Sequence, residues 1–290
     1  MGVPYRDGSD TRWMTEGQLE RAYRDRFVRR ADDRAALSAL IDDLVPELPI
    51  EGGAWVAVSA RPVAPLPLAV ARPQREQATA TMKEMLRLAS QIYPAHDRGA
   101  TRRMRVIGEL GAYAVDNPRA GLRRWVMRSN PYSTDPLEQS DWGLIELHHD
   151  GSMALAVGFE SWVRGDIAGI AAEVDPVPVA AVDSLLVEAV ALAATHIRSL
   201  GGVGTTLIRA AFLQAPTSTG RPLVAVDNRM GGHFTTGFHV LSSTRAVRNP
   251  HAVETQFAAD GDANTLRQVA RQLAEDLDHQ FGIQASTIPQ

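Results

Sequence analysis

Arginines are concentrated in one part of the chain, where they could bind phosphate groups. Eight arginines lie between residues 98 and 128 and are opposed by two acidic residues, which gives a local formal charge of +6 in a chain of net charge −4. Tyr113 and Trp125 are interleaved with them. Arginines along a strand with aromatic residues between them are typical of nucleic-acid-binding surfaces. The residues expected to make this contact are Arg102, Arg103, Arg105, Arg123, Arg124, Trp125 and Arg128.

This concentration of arginine could also arise in two ways that do not involve phosphate. Of the 30 basic residues, only Lys83 is a lysine. This bias is typical of bacterial genomes rich in G and C, so an arginine is weaker evidence for phosphate recognition here. The arginines could also pair with acidic side chains elsewhere in the fold. The net charge of −4 excludes a histone-like protein that is basic throughout.

Few residues fit a catalytic centre. The chain has no cysteine, which excludes disulfides, thiolate metal sites and cysteine nucleophiles. It also lacks the G-x-S-x-G motif of serine hydrolases. Glu109 and Glu146 are flanked by apolar strand residues, but an enzyme acting on phosphorylated substrates needs further acid and base groups that converge on them. The glycine-rich stretch at Gly201–Thr206 lacks a lysine and follows a predicted helix, so we interpret it as a helix end. We expect no enzymatic activity and no cofactor.

The histidines do not form a clear metal-binding set. His148 and His149 are neighbours on a predicted strand, where adjacent side chains point to opposite faces. Asp227, His233 and His239 could share a face, but a turn predicted at the intervening Gly-Gly pair would break their register. His196 stands alone in an apolar helix, which favours a hydrogen-bonded core residue. We expect no metal site.

The periodicity of apolar residues predicts an α+β fold. Long helices are predicted at 75–93, 179–199 and 262–281, and strands at 54–58, 103–108, 122–128, 143–148, 153–159, 203–213, 222–227 and 236–242. Two helices are predicted near the amino terminus, from Thr15 and from Asp32. Asp150-Gly151 predicts a hairpin. We therefore expect a mainly antiparallel sheet packed by long helices and preceded by a small helical segment.

The prolines suggest a boundary between two parts. Residues 61–73 contain four prolines, a composition typical of a stiff, extended linker. We therefore divide the chain into a helical segment with one strand at 1–60, the linker, and an α+β domain at 74–290. This division predicts that residues 74–290 fold alone.

The amino-terminal residues resemble part of a known family. The pattern comprises Tyr5-Arg6, Gly8-Ser9, Thr11 and Met14, followed by a capped helix that contains Glu20. This pattern, across residues 4–27, resembles the closing strand and helix of Schlafen AlbA-type domains. In that family an Asn-x-x-Gly-Gly strand comes first, whereas here Glu51-Gly52-Gly53 lacks the asparagine and comes afterwards. No catalytic or nucleotide-binding residue is therefore transferred.

The resemblance implies the downstream part of a longer bacterial protein that carries the last strand and helix of an AlbA-like domain. Members of that family are described as DNA-binding transcriptional regulators, and some as ATP-binding. We thus expect a non-enzymatic accessory region that contacts nucleic acid, or alternatively a region that senses a small ligand or dimerises. The amino terminus has no signal pattern, and the most apolar window, 177–194, is interrupted by Asp183 and Glu188. We expect a cytoplasmic protein that does not contact membranes and could form homo-oligomers.

Overall fold

The structure is a computed structural model that describes residues 4–7, 10–13, 16–50, 53–64, 66, 73–94, 106–129, 142–160, 163, 174–214, 221–230 and 233–290. The helices in these ranges are α1 Glu16–Leu44, α2 Arg75–Ile92, α3 Gly111–Asp116, α4 Val179–Ser199 and α5 Ala263–Asp278. The strands are β1 Pro4–Asp7, β2 Asp10–Trp13, β3 Trp55–Pro62, β4 Arg119–Gly121, β5 Arg124–Arg128, β6 Gly143–His148, β7 Met153–Gly158, β8 Asp175–Pro178, β9 Thr205–Leu213, β10 Leu223–Met230, β11 His233–Val240 and β12 Val253–Ala258.

A seven-stranded sheet with the order β12-β9-β3-β7-β6-β5-β4 contains most of these strands. Every neighbouring pair in it is antiparallel. A smaller sheet has the order β11-β10-β8, with β8 parallel to β10, and β1 pairs with β2 in a hairpin. The predicted α+β class, with a mainly antiparallel sheet and long helices, is confirmed.

The apolar residues of β3 explain how the helices are layered on the large sheet. Successive side chains of a strand point to opposite faces. Val56 and Val58 face a core that also contains buried residues of α2, α4 and α5, whereas Trp55 and Ala57 pack with Ile41 and Leu44 of α1. The sheet is therefore covered on both faces. We call the side that carries Trp55 the α1 face.

The last helix shows how local sequence sets the element boundaries. The Asp262 carboxylate caps α5 by accepting a hydrogen bond from the Thr265 amide at 2.8 Å, and this bond lowers the pKa of Asp262. Leu266, Ala270, Leu273 and Leu277 then recur at helical spacing and are buried. Gly282 follows with φ +83°, a left-handed conformation that glycine adopts without strain.

Helix α4 is buried along almost its whole length, as its apolar sequence predicts. By length and composition alone it is the one helix, among the described residues, that could cross a membrane, and that apolar stretch lies wholly inside the protein. Core helices meet the same criterion. The two acids in α4 accept hydrogen bonds from main-chain amides: Asp183 from Thr287 at 2.6 Å and Glu188 from Ile107 at 2.5 Å.

Three of the predicted elements differ from the structure. The helices predicted from Thr15 and Asp32 are one continuous helix, α1, because no glycine or proline lies between Gln18 and Val45 to end it. Residues 103–105 of the strand predicted at 103–108 lie outside the described residues, and its carboxyl end is not a strand, since a 3-10 helix spans Ile107–Leu110 and leads into α3. The Glu188 carboxylate fixes the amide of Ile107 at this point.

Strand β3 bears on the predicted boundary at 61–73. It lies between β7 and β9 and is hydrogen bonded to both, and its last two residues, Arg61 and Pro62, belong to the proline-rich segment. Its residues share one core with α2, α4 and α5. The proline-rich segment therefore does not separate two hydrophobic cores.

Candidate functional site

The β4–β5 hairpin (residues 119–128) carries the part of the predicted arginine segment that the structure describes. Of the predicted contact residues, Arg123, Arg124, Trp125 and Arg128 belong to this hairpin, whereas Arg102, Arg103 and Arg105 lie outside the described residues. The hairpin sequence has four arginines and no acidic residue. It forms one edge of the large sheet, with β4 as the outermost strand.

The register of the hairpin places three arginines on one face. Arg119 of β4 pairs with Val126 of β5, so its side chain lies on the same side as those of Arg124 and Arg128. Val126 packs with the residues of the α1 face. Arg119, Arg124 and Arg128 therefore share one face of the sheet edge.

Arg124 is held in an ion pair with a buried carboxylate. Its Nε lies 3.1 Å from Oε1 of Glu146 on β6, and the Glu146 side chain is only 2% exposed. Nε2 of His148 lies 3.3 Å from the other oxygen of Glu146. This Glu146 cluster (Arg124, Glu146 and His148) brings an acid and a histidine together. Because the carboxylate is almost inaccessible, it is better suited to fixing Arg124 and His148 than to reaching a substrate.

Two further predicted residues also make internal contacts. Arg128 forms an ion pair with Glu47, which follows α1. Trp125 points to the opposite face of the sheet, where its indole N–H donates a 2.9 Å hydrogen bond to the Pro73 carbonyl oxygen and its ring packs against the main core. The ring of Trp125 is therefore not displayed for stacking with bases.

Arg123 differs from these three residues. It is exposed in the turn between β4 and β5, and its backbone has φ +55°. Its carbonyl oxygen accepts a 3.0 Å hydrogen bond from the amide of His149. Arg119 is likewise exposed. The exposed positive charge of the described hairpin therefore lies chiefly at Arg119 and Arg123.

The neighbouring β6–β7 turn, residues 149–152, is rigidly built. The Asp150 carboxylate accepts hydrogen bonds from the Ser152 amide at 2.9 Å and the Ser152 hydroxyl at 2.5 Å. Burial acts to raise the pKa of Asp150, but these bonds together outweigh it, and the pKa lies below its usual value. The predicted Asp-Gly hairpin is confirmed, with Gly151 at φ +88°. The turn thus supports the adjacent Arg123 from one side.

The other described polar groups that the sequence singles out do not come together in one site. Asp227 lies opposite His239 in the β10–β11 pair, and a register shift follows Asp227. Within the described ranges, no group of three histidine, aspartate or glutamate side chains could hold a metal ion. Gly201–Thr206 forms the end of α4 and the start of β9, as predicted.

One further buried carboxylate lies on the smaller sheet. Asp175, at the start of β8, is buried, and burial raises its pKa while Arg221, 3.2 Å away, opposes the rise. The guanidinium of Arg221 also donates to the Val174 carbonyl oxygen at 3.0 Å. This pair anchors the start of β8.

The fold and the hairpin together define an α+β protein with an arginine-rich sheet edge. No family model, curated protein or solved structure matches the chain.

Sequence reasoning missed two features of this edge. The first is Leu122, whose place between Gly121 and two arginines could have marked it as a turn residue. The second is the identity of the acidic partners of Arg124 and Arg128. The sequence suggests such pairing in general, but no local pattern indicates Glu146 and Glu47, which are distant in sequence.

Proposed function

We propose that this chain is a non-enzymatic accessory region of a cytoplasmic, bacterial Schlafen AlbA-like regulator, and that it contacts nucleic acid through its arginine-rich segment. The observation that carries the proposal is the β4–β5 hairpin, which presents Arg119 and Arg123 outward at a sheet edge without a single acidic residue in its sequence. The AlbA-like pattern at residues 4–27 supports the same class of function.

The proposal relies on the more exposed arginines of the hairpin. Arg124 and Arg128 are only partly exposed, at the places where they pair with Glu146 and Glu47. Arg119 and Arg123 are the exposed members of the hairpin. Since phosphate contacts carry no sequence information, the binding should be independent of sequence and sensitive to salt.

The test is a salt titration of binding, monitored by the fluorescence anisotropy of labelled DNA and RNA oligomers of unrelated sequence. For duplex DNA, the logarithm of affinity should fall linearly with the logarithm of salt concentration, by about 0.9 per phosphate contact. Replacing Arg119 and Arg123 together by glutamine should reduce the slope by roughly two units on the same basis.

The matched control replaces Arg245 and Arg248 by glutamine. Both are exposed and precede β12, at the opposite edge of the sheet, so the change in net charge is the same. The control should keep the parent slope. Absence of binding at low salt, or a hairpin variant that binds like the parent, would contradict the proposal.

The ion pairs of Arg124 and Arg128 favour a second candidate function, a region that senses a small ligand or dimerises without touching nucleic acid. In this case the arginines stabilise the fold, and the edge strand β4 is the surface open to a second copy. Sedimentation equilibrium distinguishes the two: a concentration-dependent dimer without nucleic-acid binding supports the second candidate, and a monomer that binds DNA supports the first.

A further inference from the structure

The turn of the β4–β5 hairpin exposes an unusual side chain. Leu122 is 88% exposed, more than any other large apolar residue in the part of the chain that the structure describes. Exposure of a leucine at this level is unfavourable in water unless something covers it. A single exposed apolar residue is common on protein surfaces, so its surroundings decide whether it matters.

The backbone next to Leu122 gives an independent sign of function. Arg123 adopts φ +55°, and it has no glycine-like freedom to relax the left-handed conformation. Glycine or asparagine is the usual residue at such a turn position. The sequence therefore places an arginine where the fold alone would favour another residue, which is typical of positions that serve binding.

The turn is also supported by neighbouring residues. A Cβ atom added to Gly121 would lie 2.9 Å from Cγ of Arg124, so glycine leaves room for the Arg124 side chain on the adjacent strand. The His149 amide holds the Arg123 carbonyl oxygen at 3.0 Å. Leu122 thus lies at the apex of a supported turn at the sheet edge, with Arg123 next to it and Arg119 on the same hairpin.

We propose, on the basis of the proposed function, that Leu122 is a wedge that enters the minor groove of duplex DNA and presses against a base step, while Arg119 and Arg123 contact the flanking phosphates. Architectural proteins insert apolar side chains between base pairs in this way and kink the duplex. Single-strand binding instead relies on aromatic stacking, and the aromatic ring of this hairpin, Trp125, packs against the core. The geometry therefore favours the duplex.

A wedge implies a preference for DNA that is easily unstacked. A nick or a mismatch lowers the energy needed to open a base step, so the protein should bind such a duplex more tightly than the intact one. A purely electrostatic contact has no such preference, because the number and spacing of the phosphates are nearly the same in the two duplexes.

The experiment compares the affinity of the full chain for one duplex, intact and with a central nick, at low salt. We expect the parent to bind the nicked duplex about tenfold more tightly. Leu122→Ala should abolish this preference. The matched control is Val203→Ala, because Val203 is also exposed and lies next to β9, five strands away from β4 in the sheet order, about 24 Å by strand spacing. It should keep the tenfold preference.

Arg123→Gly provides a second variant that relaxes the backbone and removes the charge. It should melt at a higher temperature than the parent and yet bind both duplexes more weakly. Equal binding of the two duplexes by the parent, or a preference retained by Leu122→Ala, would overturn the wedge while leaving nucleic-acid binding intact. Absence of binding to either duplex would overturn the proposed function and the wedge together.

Discussion

His196 is a titratable residue inside the core, on the helix α4. Its Nε2 donates a 2.8 Å hydrogen bond to the carbonyl oxygen of His148, and since a carbonyl only accepts, Nε2 carries the proton of the neutral ring. Burial lowers the pKa of His196 from 6.5 to about 4, although this hydrogen bond acts in the opposite direction. The expectation of a hydrogen-bonded core histidine is confirmed.

This lowered pKa predicts a loss of stability in mild acid. The unfolded chain binds a proton at His196 below pH 6.5, whereas the folded chain does so only near pH 4. Stability is therefore fully present above pH 6.5 and falls as the pH is lowered toward 4. Between pH 7 and pH 5 the loss should be about 2 kcal/mol. Urea unfolding at the two pH values measures it.

The control for this prediction is His196→Gln, whose amide can still donate to the His148 carbonyl oxygen but does not titrate. The parent should lose about 2 kcal/mol more than this variant between the two pH values. Identical pH dependence of the two proteins would show that His196 does not titrate as the structure indicates.

At the scale of residues, the sequence indicates roles that depend on local pattern and misses those that depend on register. The core position of His196 follows from its apolar neighbours. The ion pair between Arg124 and Glu146 depends on the alignment of β5 with β6, which places Arg124 one step diagonally from Glu146. No spacing in the sequence reveals this alignment, so the pairing of Arg124 cannot be predicted from the sequence.

At the scale of elements, the sequence predicts helices where one face is continuously apolar. Helices α2, α4 and α5 follow their predicted ranges within a few residues. The short elements are missed: β8 and β12 lack a strong apolar alternation, and α3 has only six residues. The carboxylates inside α4 are explained only by the structure, which shows them accepting hydrogen bonds from main-chain amides of distant segments.

Removing one of these buried carboxylates should lower the free energy of unfolding. In Glu188→Ala the Ile107 amide loses its acceptor and a cavity forms, so the free energy of unfolding should fall by about 3 kcal/mol. Glu188→Gln keeps an acceptor oxygen and should lose less. Chemical denaturation measures the free energy of unfolding of both variants.

Exposed Glu76 of α2 is the control, and its replacement by alanine should change stability by about 0.5 kcal/mol or less. Equal effects at positions 188 and 76 would contradict this role.

At the scale of the whole molecule, the main sheet depends on residues from both sides of the proline-rich segment. The sequence pattern places β3 in the amino-terminal part because prolines follow it, and only its pairing partners show that it lies inside the large sheet. Long-range pairing of this kind has no local signature, which is why the sequence pattern puts a boundary there.

The position of β3 in the large sheet bears on the prediction that the fragment 74–290 folds alone. Without β3, strands β7 and β9 lose their shared neighbour, and the apolar side chains that β3 covers become exposed. We expect this fragment to show no cooperative thermal transition. The fragment 31–290 retains β3 and the described buried residues of α1, and it should melt cooperatively. A cooperative transition for 74–290 would mean that the two parts fold independently.

The central claim, that the arginine-rich sheet edge binds nucleic acid, is tested most directly by hydrogen exchange of the full chain with and without duplex DNA at low salt. Strand β4 is an edge strand whose outward amides have no partner strand among the described residues, so a bound duplex should slow their exchange visibly. We predict slower exchange concentrated in residues 119–128 and lost as salt is raised. Unchanged exchange there, with or without protection elsewhere in the chain, would contradict the account.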